Sequence, residues 1–251
     1  MHKSRWLVGL LLVLAVLPLA AQRRGFGGGR NFAPPVPAAA PYDGKFAIAR
    51  LWYPHYPGWS YDYPDMEQNL NKILPAVTAI TPSPSGGNVL KMDDPELLKF
   101  PIAYLSEPGY WYPSDAEVHG LRTYIEKGGF LIVDDFMLGN EWNVFEVAMT
   151  RVLPGARIHR LDISHPVFNT FFAIKTLDVP YPGRPGEQGL MGEFYGIYED
   201  NDPTKRLSVV INFNMDIGDY MEHSGEGRFA VDPSNEAYKF GINYLMYGMT
   251  R

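Results

Sequence analysis

Acidic side chains stand wherever an apolar run of this chain stops. Asp134 and Asp135 follow Phe130, Leu131, Ile132 and Val133 directly, Glu107 follows the run from Pro101 to Ser106, and Asp216 and Asp219 follow Arg206 to Phe213. Two carboxylates facing one another can divide the acid and nucleophile roles of glycoside hydrolysis. Glu107, Asp134, Asp135 and Asp216 are the set from which such a pair would be drawn. Asp134 and Asp135 with Asp216 and Asp219 can equally gather a hard cation, since Ca²⁺ and Mg²⁺ take carboxylate oxygens. Loop carboxylates that merely cap helices and turns are commoner than either. Neither a metal nor a cofactor is therefore expected.

Rings crowd the same loops. Trp52, Tyr53, His55, Tyr56, Trp59, Tyr61 and Tyr63 fall within one short stretch, and Tyr110, Trp111 and Tyr112 follow Glu107 in EPGYWYP. Aromatic faces bordered by carboxylates suit a sugar-like or peptide ligand, with rings for its apolar faces and acids for its hydroxyl or amine donors. The candidate binding set is Trp52, Tyr53, His55, Tyr56, Trp59, Glu107, Tyr110, Trp111, Asp134, Asp135 and Asp216. The alternative is a satellite core, because large aromatics carry much of any core's burial. Cysteine is absent, which excludes disulfides, thiolate metal sites and thiol nucleophiles. His55, His119, His159, His165 and His223 show no HxH or HExxH spacing, so zinc is not expected.

The elements that must position these residues are best defined in Ser114 to Phe136. Ser114 and Glu117 have capping-box spacing, Val118, Leu121 and Ile125 share one helical face, and Gly128 with Gly129 ends the helix. Phe130 to Val133 then forms an apolar run suited to a strand covered on both faces of a parallel sheet. The remaining chain alternates likewise. Strands are expected at Phe46 to Tyr53, Val77 to Thr81, Pro101 to Ser106 and Ala156 to Leu161, and as a hairpin at Phe194 to Tyr198 and Arg206 to Phe213. Helices are expected from Asp65 to Leu74, closed by Pro75, from Asp94 to Phe100, from Glu141 to Leu153, and from Asp232 to Met249. Thr176 to Gly192 reads as a long loop or lid. If the strands before Tyr53, Glu107 and Asp134 run parallel, their loops open on one rim, where ligands of open α/β sheets sit.

Residues 1–21 combine His2, Lys3 and Arg5 with an apolar run from Trp6 to Leu17 and a small-residue exit, the pattern of a secretory signal. The apolar run is shorter than the roughly 20 residues of a spanning helix, so cleavage and export to the periplasm or beyond are expected, with no stable transmembrane anchor afterwards. Residues 22–41 are a linker rich in Gly, Pro and Ala, and residues 42–251 are one α/β domain. The formal charge of −6 becomes −8 once Lys3 and Arg5 leave with the signal, which argues against nucleic acid as a partner.

FAIARLWYP, PIAYLSEPGY, LRTYIEKGGFLIVDD, HPVFNTFF, LSVVINFNMDIGDY and NEAYKFGINYLMYGM together resemble the family of domain of unknown function 4159 over Tyr42 to Arg251. That resemblance implies a flavodoxin-like three-layer sandwich with a mostly parallel sheet, similar to class I glutamine amidotransferases. In those enzymes a cysteine occupies a tight strand-to-helix turn; here the matching strand ends in Asp134, Asp135 and Phe136, so amidotransferase chemistry is not expected. Three function classes stay open: a non-catalytic binding or scaffold module of the cell envelope using the aromatic and acidic rim, a glycan-directed hydrolase using paired carboxylates, or a structural partner in a membrane-associated assembly. Glycan, peptide or an envelope protein are the partners these readings imply.

Overall fold

A computed structural model describes residues 36–182 and 189–251. The signal-like segment, most of the Gly/Pro/Ala linker and the middle of the Thr176 to Gly192 loop lie outside the described residues. Seven strands form one sheet: β1 Ala49–Trp52, β2 Asn88–Lys91, β3 Ile102–Ser106, β4 Phe130–Phe136, β5 His159–Arg160, β6 Glu193–Tyr198 and β7 Leu207–Phe213. Their order is β2-β1-β3-β4-β7-β6-β5. The first five in that order run parallel, while β6 is antiparallel to β7 and β5 antiparallel to β6. The helices are α1 Asp65–Val77, α2 Asp115–Glu126, α3 Leu138–Val152, α4 Ile217–Glu222 and α5 Val231–Thr250.

The period of two along each strand sorts the core into two layers. Leu131 and Val133 of β4 meet Val118, Leu121 and Ile125 of α2 and Phe145, Ala148 and Met149 of α3. Phe130 and Ile132 point the other way, into Met66, Leu70 and Leu74 of α1, Ile217 and Met221 of α4, and Phe240 and Tyr244 of α5. The sheet is therefore covered on both faces, and β4 is an interior strand, as its unbroken apolar run requires. Ahead of it, the capping box is formed: Ser114 Oγ accepts from the Glu117 N–H at 3.3 Å, and Glu117 Oε2 accepts from the Ser114 N–H at 2.7 Å.

Several elements differ from the sequence expectation. The second strand is Asn88–Lys91 and not 77–81, because Thr78 ends α1 by returning both its N–H and its hydroxyl to the Leu74 carbonyl, each at 2.8 Å. Helix α1 runs on through Pro75, which lies in the last turn and removes only one intrahelical bond there. Asp216 and Asp219 do not close a strand but open α4, with Asp216 Oδ1 accepting from the Asp219 N–H at 2.7 Å. The last helix starts at Val231, so Asp232 falls in its first turn and Ala230 is the cap.

Three rings of the candidate binding set, Tyr53, Trp59 and Trp111, belong to this core. Trp59 is 2% exposed and Trp111 0%, and both belong to the buried layer that holds the inward residues of α2 and α3. The structure places them inside the molecule and not on its rim. A Pro57–Ser60 3-10 turn and the Pro108–Tyr110 turn fold each loop back onto the sheet, and an indole removed from water stabilises more than one left at the surface. Trp59→Ala and Trp111→Ala should each lose about 3–5 kcal/mol of stability in denaturant unfolding; a loss under about 1 kcal/mol for both would place these rings at the surface.

Candidate functional site

Because β1, β3, β4 and β7 are parallel, their carboxyl ends share one edge of the sheet. The chain passes through the left-handed region at or just beyond the end of each: His55 (φ 84°), Glu107 (φ 52°), Asp135 (φ 59°, within the last residues of β4) and Asn214 (φ 51°). None is glycine. Side chains are thus kept where the backbone would favour their absence, a pattern that collects at functional edges.

Asp134 lies deepest. It ends the alternation of β4 on the α4 and α5 side and is wholly buried. Tyr104 of β3 donates a very short hydrogen bond to its Oδ2. The Ile217 and Gly218 N–H groups at the start of α4 donate to the same oxygen at 2.9 and 3.1 Å. Asn212 of β7 donates to Oδ1 at 2.9 Å and accepts from the Tyr244 hydroxyl of α5 at 2.8 Å. Burial pushes the Asp134 carboxyl up to about 6, with the hydrogen bonds from Tyr104, Asn212 and the two backbone amides opposing that rise. Burial also holds the Tyr104 phenol well above its ordinary value, so it stays a donor. These bonds fully engage Asp134 as an anchor of α4.

Asp135 is turned by a bulge. Between Val133 and Phe136 of β4, two residues lie opposite the single Asn212 of β7, so Asp135 departs from the pleat. Its carboxylate gathers with those of Asp62, from the loop after β1, and Asp216, the cap of α4; one oxygen from each lies within 4.8 Å of the others. All three are buried. Burial, then the neighbouring Asp135, drives the Asp62 carboxyl well above its usual range, with Arg50 opposing. Burial, then Asp135, Asp62 and Asp219, does the same to Asp216. Arg50 of β1, also fully buried, donates from Nε to Glu67 of α1 at 2.8 Å, lies 4.4 Å over the Tyr104 ring, and approaches Asp62 no closer than 3.9 Å.

The rings at this edge divide. Tyr53 is buried, and its hydroxyl donates to the Ser106 and Glu107 carbonyls at 3.0 and 2.9 Å. Trp52 sits within β1 with Lys91 5.5 Å from its ring. Outside them, Tyr56 stacks on Tyr110 at 4.0 Å, Tyr61 meets Tyr56 edge-on at 5.9 Å, and the Tyr110 hydroxyl donates to Glu141 at 3.3 Å. Tyr61 (44% exposed), Tyr112 (66%) and His55 face solvent. Gly58 lets the two loops close on one another, since a Cβ there would come within 2.7 Å of Glu107 Cβ. Glu107 itself is buried beneath this contact.

Of the eleven candidate residues, the structure gathers Asp135 and Asp216 with the acids, leaves His55, Tyr56 and Tyr110 on the rim, keeps Trp52 half-buried at the end of β1, and encloses Tyr53, Trp59, Glu107, Trp111 and Asp134. Asp219 lies beside the acids without joining the trio. Arg50, Asp62, Glu67, Tyr104, Asn212 and Tyr244 were outside the sequence reading. Arg50 and Asn212 carried a signal, each being a polar residue inside an apolar strand run, FAIARLWY and LSVVINF. Two cavities, of about 460 and 610 Å³, are lined by none of these acids or rim tyrosines, the first lying beside Glu126, Pro154 and Arg206 and the second beside Arg160, Lys175 and Glu193.

A family model described as domain of unknown function (DUF4159) matches residues 47–249, and the chain belongs to that family. No curated protein matches the chain.

The acid cluster makes stability depend on pH. Asp216 has a folded value above its unfolded one, so its contribution is fully present below about pH 4 and is lost as pH rises through the folded value. Asp216→Asn keeps a side-chain oxygen at the cap and removes the charge. With a chelator present, the variant should exceed the wild type by about 1 kcal/mol or more at pH 7 and match it at pH 4 in urea unfolding. An equal difference at both values would overturn this assignment.

Proposed function

We propose that this DUF4159 domain is an exported, non-catalytic binding or scaffold module of the cell envelope, whose ligand lies on the tyrosine rim. The observation that carries the reading is the division of the carboxyl edge. Its acids are closed off, while Tyr56, Tyr61, Tyr110 and Tyr112 present rings and hydroxyls from two loops clamped together. Such rings offer apolar faces to a sugar or peptide and donors at their tips. Export is supported by the charged start, apolar run and small-residue exit of residues 1–21. Among the described residues no helix is long and apolar enough to cross a membrane.

Two features argue against catalysis of the obvious kinds. The turn from β4 into α3 carries Asp135, Phe136, Met137 and Leu138, with no thiol or hydroxyl among them, and Leu138 holds the exposed position at φ 61°. The carboxylates that do converge, Asp62, Asp135 and Asp216, are all buried, with one oxygen of each within 4.8 Å of the others, whereas a glycosidase pair must flank a bound sugar ring.

The test is a titration of the purified protein with soluble peptidoglycan fragments, followed by calorimetry. Binding should weaken about fivefold with Tyr61→Ala and again with Tyr112→Ala, with neither ammonia from glutamine nor cleaved glycan appearing. Affinity unchanged by both substitutions would remove the rim from the proposal, and turnover of either substrate would end the non-catalytic reading.

A further inference from the structure

We infer that Asp62, Asp135 and Asp216 form a binding site for one hard divalent cation of the Ca²⁺ class. The inference stands apart from the tyrosine rim. One oxygen from each carboxylate lies within 4.8 Å of the other two. Oxygens at 2.3–2.6 Å from a single Ca²⁺ are at most about 5 Å apart, so the trio already has the spread of ligands around one ion.

A second observation is the state of Asp62. The residue is 3% exposed, and its Oδ2 is buried with no hydrogen-bond partner among the described residues. A buried carboxylate oxygen without a donor is costly, and its presence in a folded interior calls for a cation, a proton or a water. That oxygen is aimed at the start of α4, since a Cβ on Gly218, two residues after Asp216, would lie 2.5 Å from it. Arg50 compensates its charge only in part: Nη1 forms an ion pair with it at 3.9 Å, too long for a hydrogen bond, and Nε is committed to Glu67. Arg50 is also the one buried Lys or Arg among the described residues.

The three arms are held by separate backbone contacts that do not depend on an ion. The Asp62 carbonyl accepts from the Met66 N–H at 2.9 Å, the Asp135 N–H donates to the Met215 carbonyl at 3.1 Å, and Asp216 caps α4. Asp134 fixes α4 in turn by accepting its first two amides. The trio offers oxygen and neither nitrogen nor sulfur, which favours hard ions over zinc or copper. The trio brings three oxygens to one point, and second carboxylate oxygens or waters would complete the six to eight that Ca²⁺ takes. Mg²⁺ prefers to keep several waters and is less suited to a site this enclosed.

The experiment strips the purified full chain with a chelator, dialyses the chelator away and measures thermal unfolding at pH 7.5 with added Ca²⁺ or Mg²⁺. Millimolar Ca²⁺ should raise Tm by about 5 °C or more, and Mg²⁺ by much less. Asp62→Asn and Asp216→Asn should abolish the rise while the circular dichroism of the fold is kept, and Glu96→Gln, in an exposed pair with Lys99, should retain it. Should either buried variant fail to fold, Tb³⁺ luminescence on the wild type decides. One Tb³⁺ per chain, sensitised by nearby rings and displaced by Ca²⁺, supports the site. No Ca²⁺-dependent shift in the wild type, a shift surviving both Asn substitutions, or Tb³⁺ bound only at several weak positions would overturn it.

Discussion

A carboxylate removed from water has to be met by donors on every side, and the arrangement of this domain's carboxyl edge follows from how Asp134 meets that requirement. Its partners come from β3, β7 and both leading amides of α4, and through Asn212 the bonding extends to α5. Each bond spans elements far apart in sequence, so the carboxylate is satisfied only when β3, β4, β7 and α4 are all in place. Leaving one donor out would strand a buried charge at a cost of several kcal/mol. Asp134 is therefore the residue through which the two halves of the chain are made to agree.

That anchoring also decides what α4 does. With its first amides committed to Asp134, the helix cap Asp216 is delivered beside Asp135, which the β4 bulge has swung out of the pleat. Asp62 arrives from the opposite end of the chain, on a loop tied to α1 and to Arg50. The result is a concentration of buried carboxylates at the carboxyl edge of the sheet. The β4–α3 turn beside it carries neither a thiol nor a hydroxyl.

Fold and site were legible to different degrees. The strand Phe130 to Val133, the capping box ahead of it and the closing α5 were readable because local patterns and tertiary demands coincide there: an apolar run buried on both faces leaves a strand few alternatives. The shared rim of the loops after β1, β3 and β4 also followed, from strand direction alone. Boundaries set by side chain to backbone bonds, such as the exit of α1 at Thr78 and the opening of α4 at Asp216, were less readable.

Sequence by itself determined the class of the fold, the edge on which acids and rings would collect, and the absence of any thiol chemistry. Tertiary structure alone decided which acids meet. Asp134 and Asp135 are neighbours in the chain, yet a bulge of one residue sends the first into a closed hydrogen-bond network and the second to Asp62 and Asp216. It also decided which rings face outward, sending Trp59 and Trp111 into the core and leaving Tyr61 and Tyr112 in solvent. The physical reason is the same in both cases. Composition specifies how much charge and apolar surface a loop carries, but only packing against elements distant in sequence determines which groups lose their water.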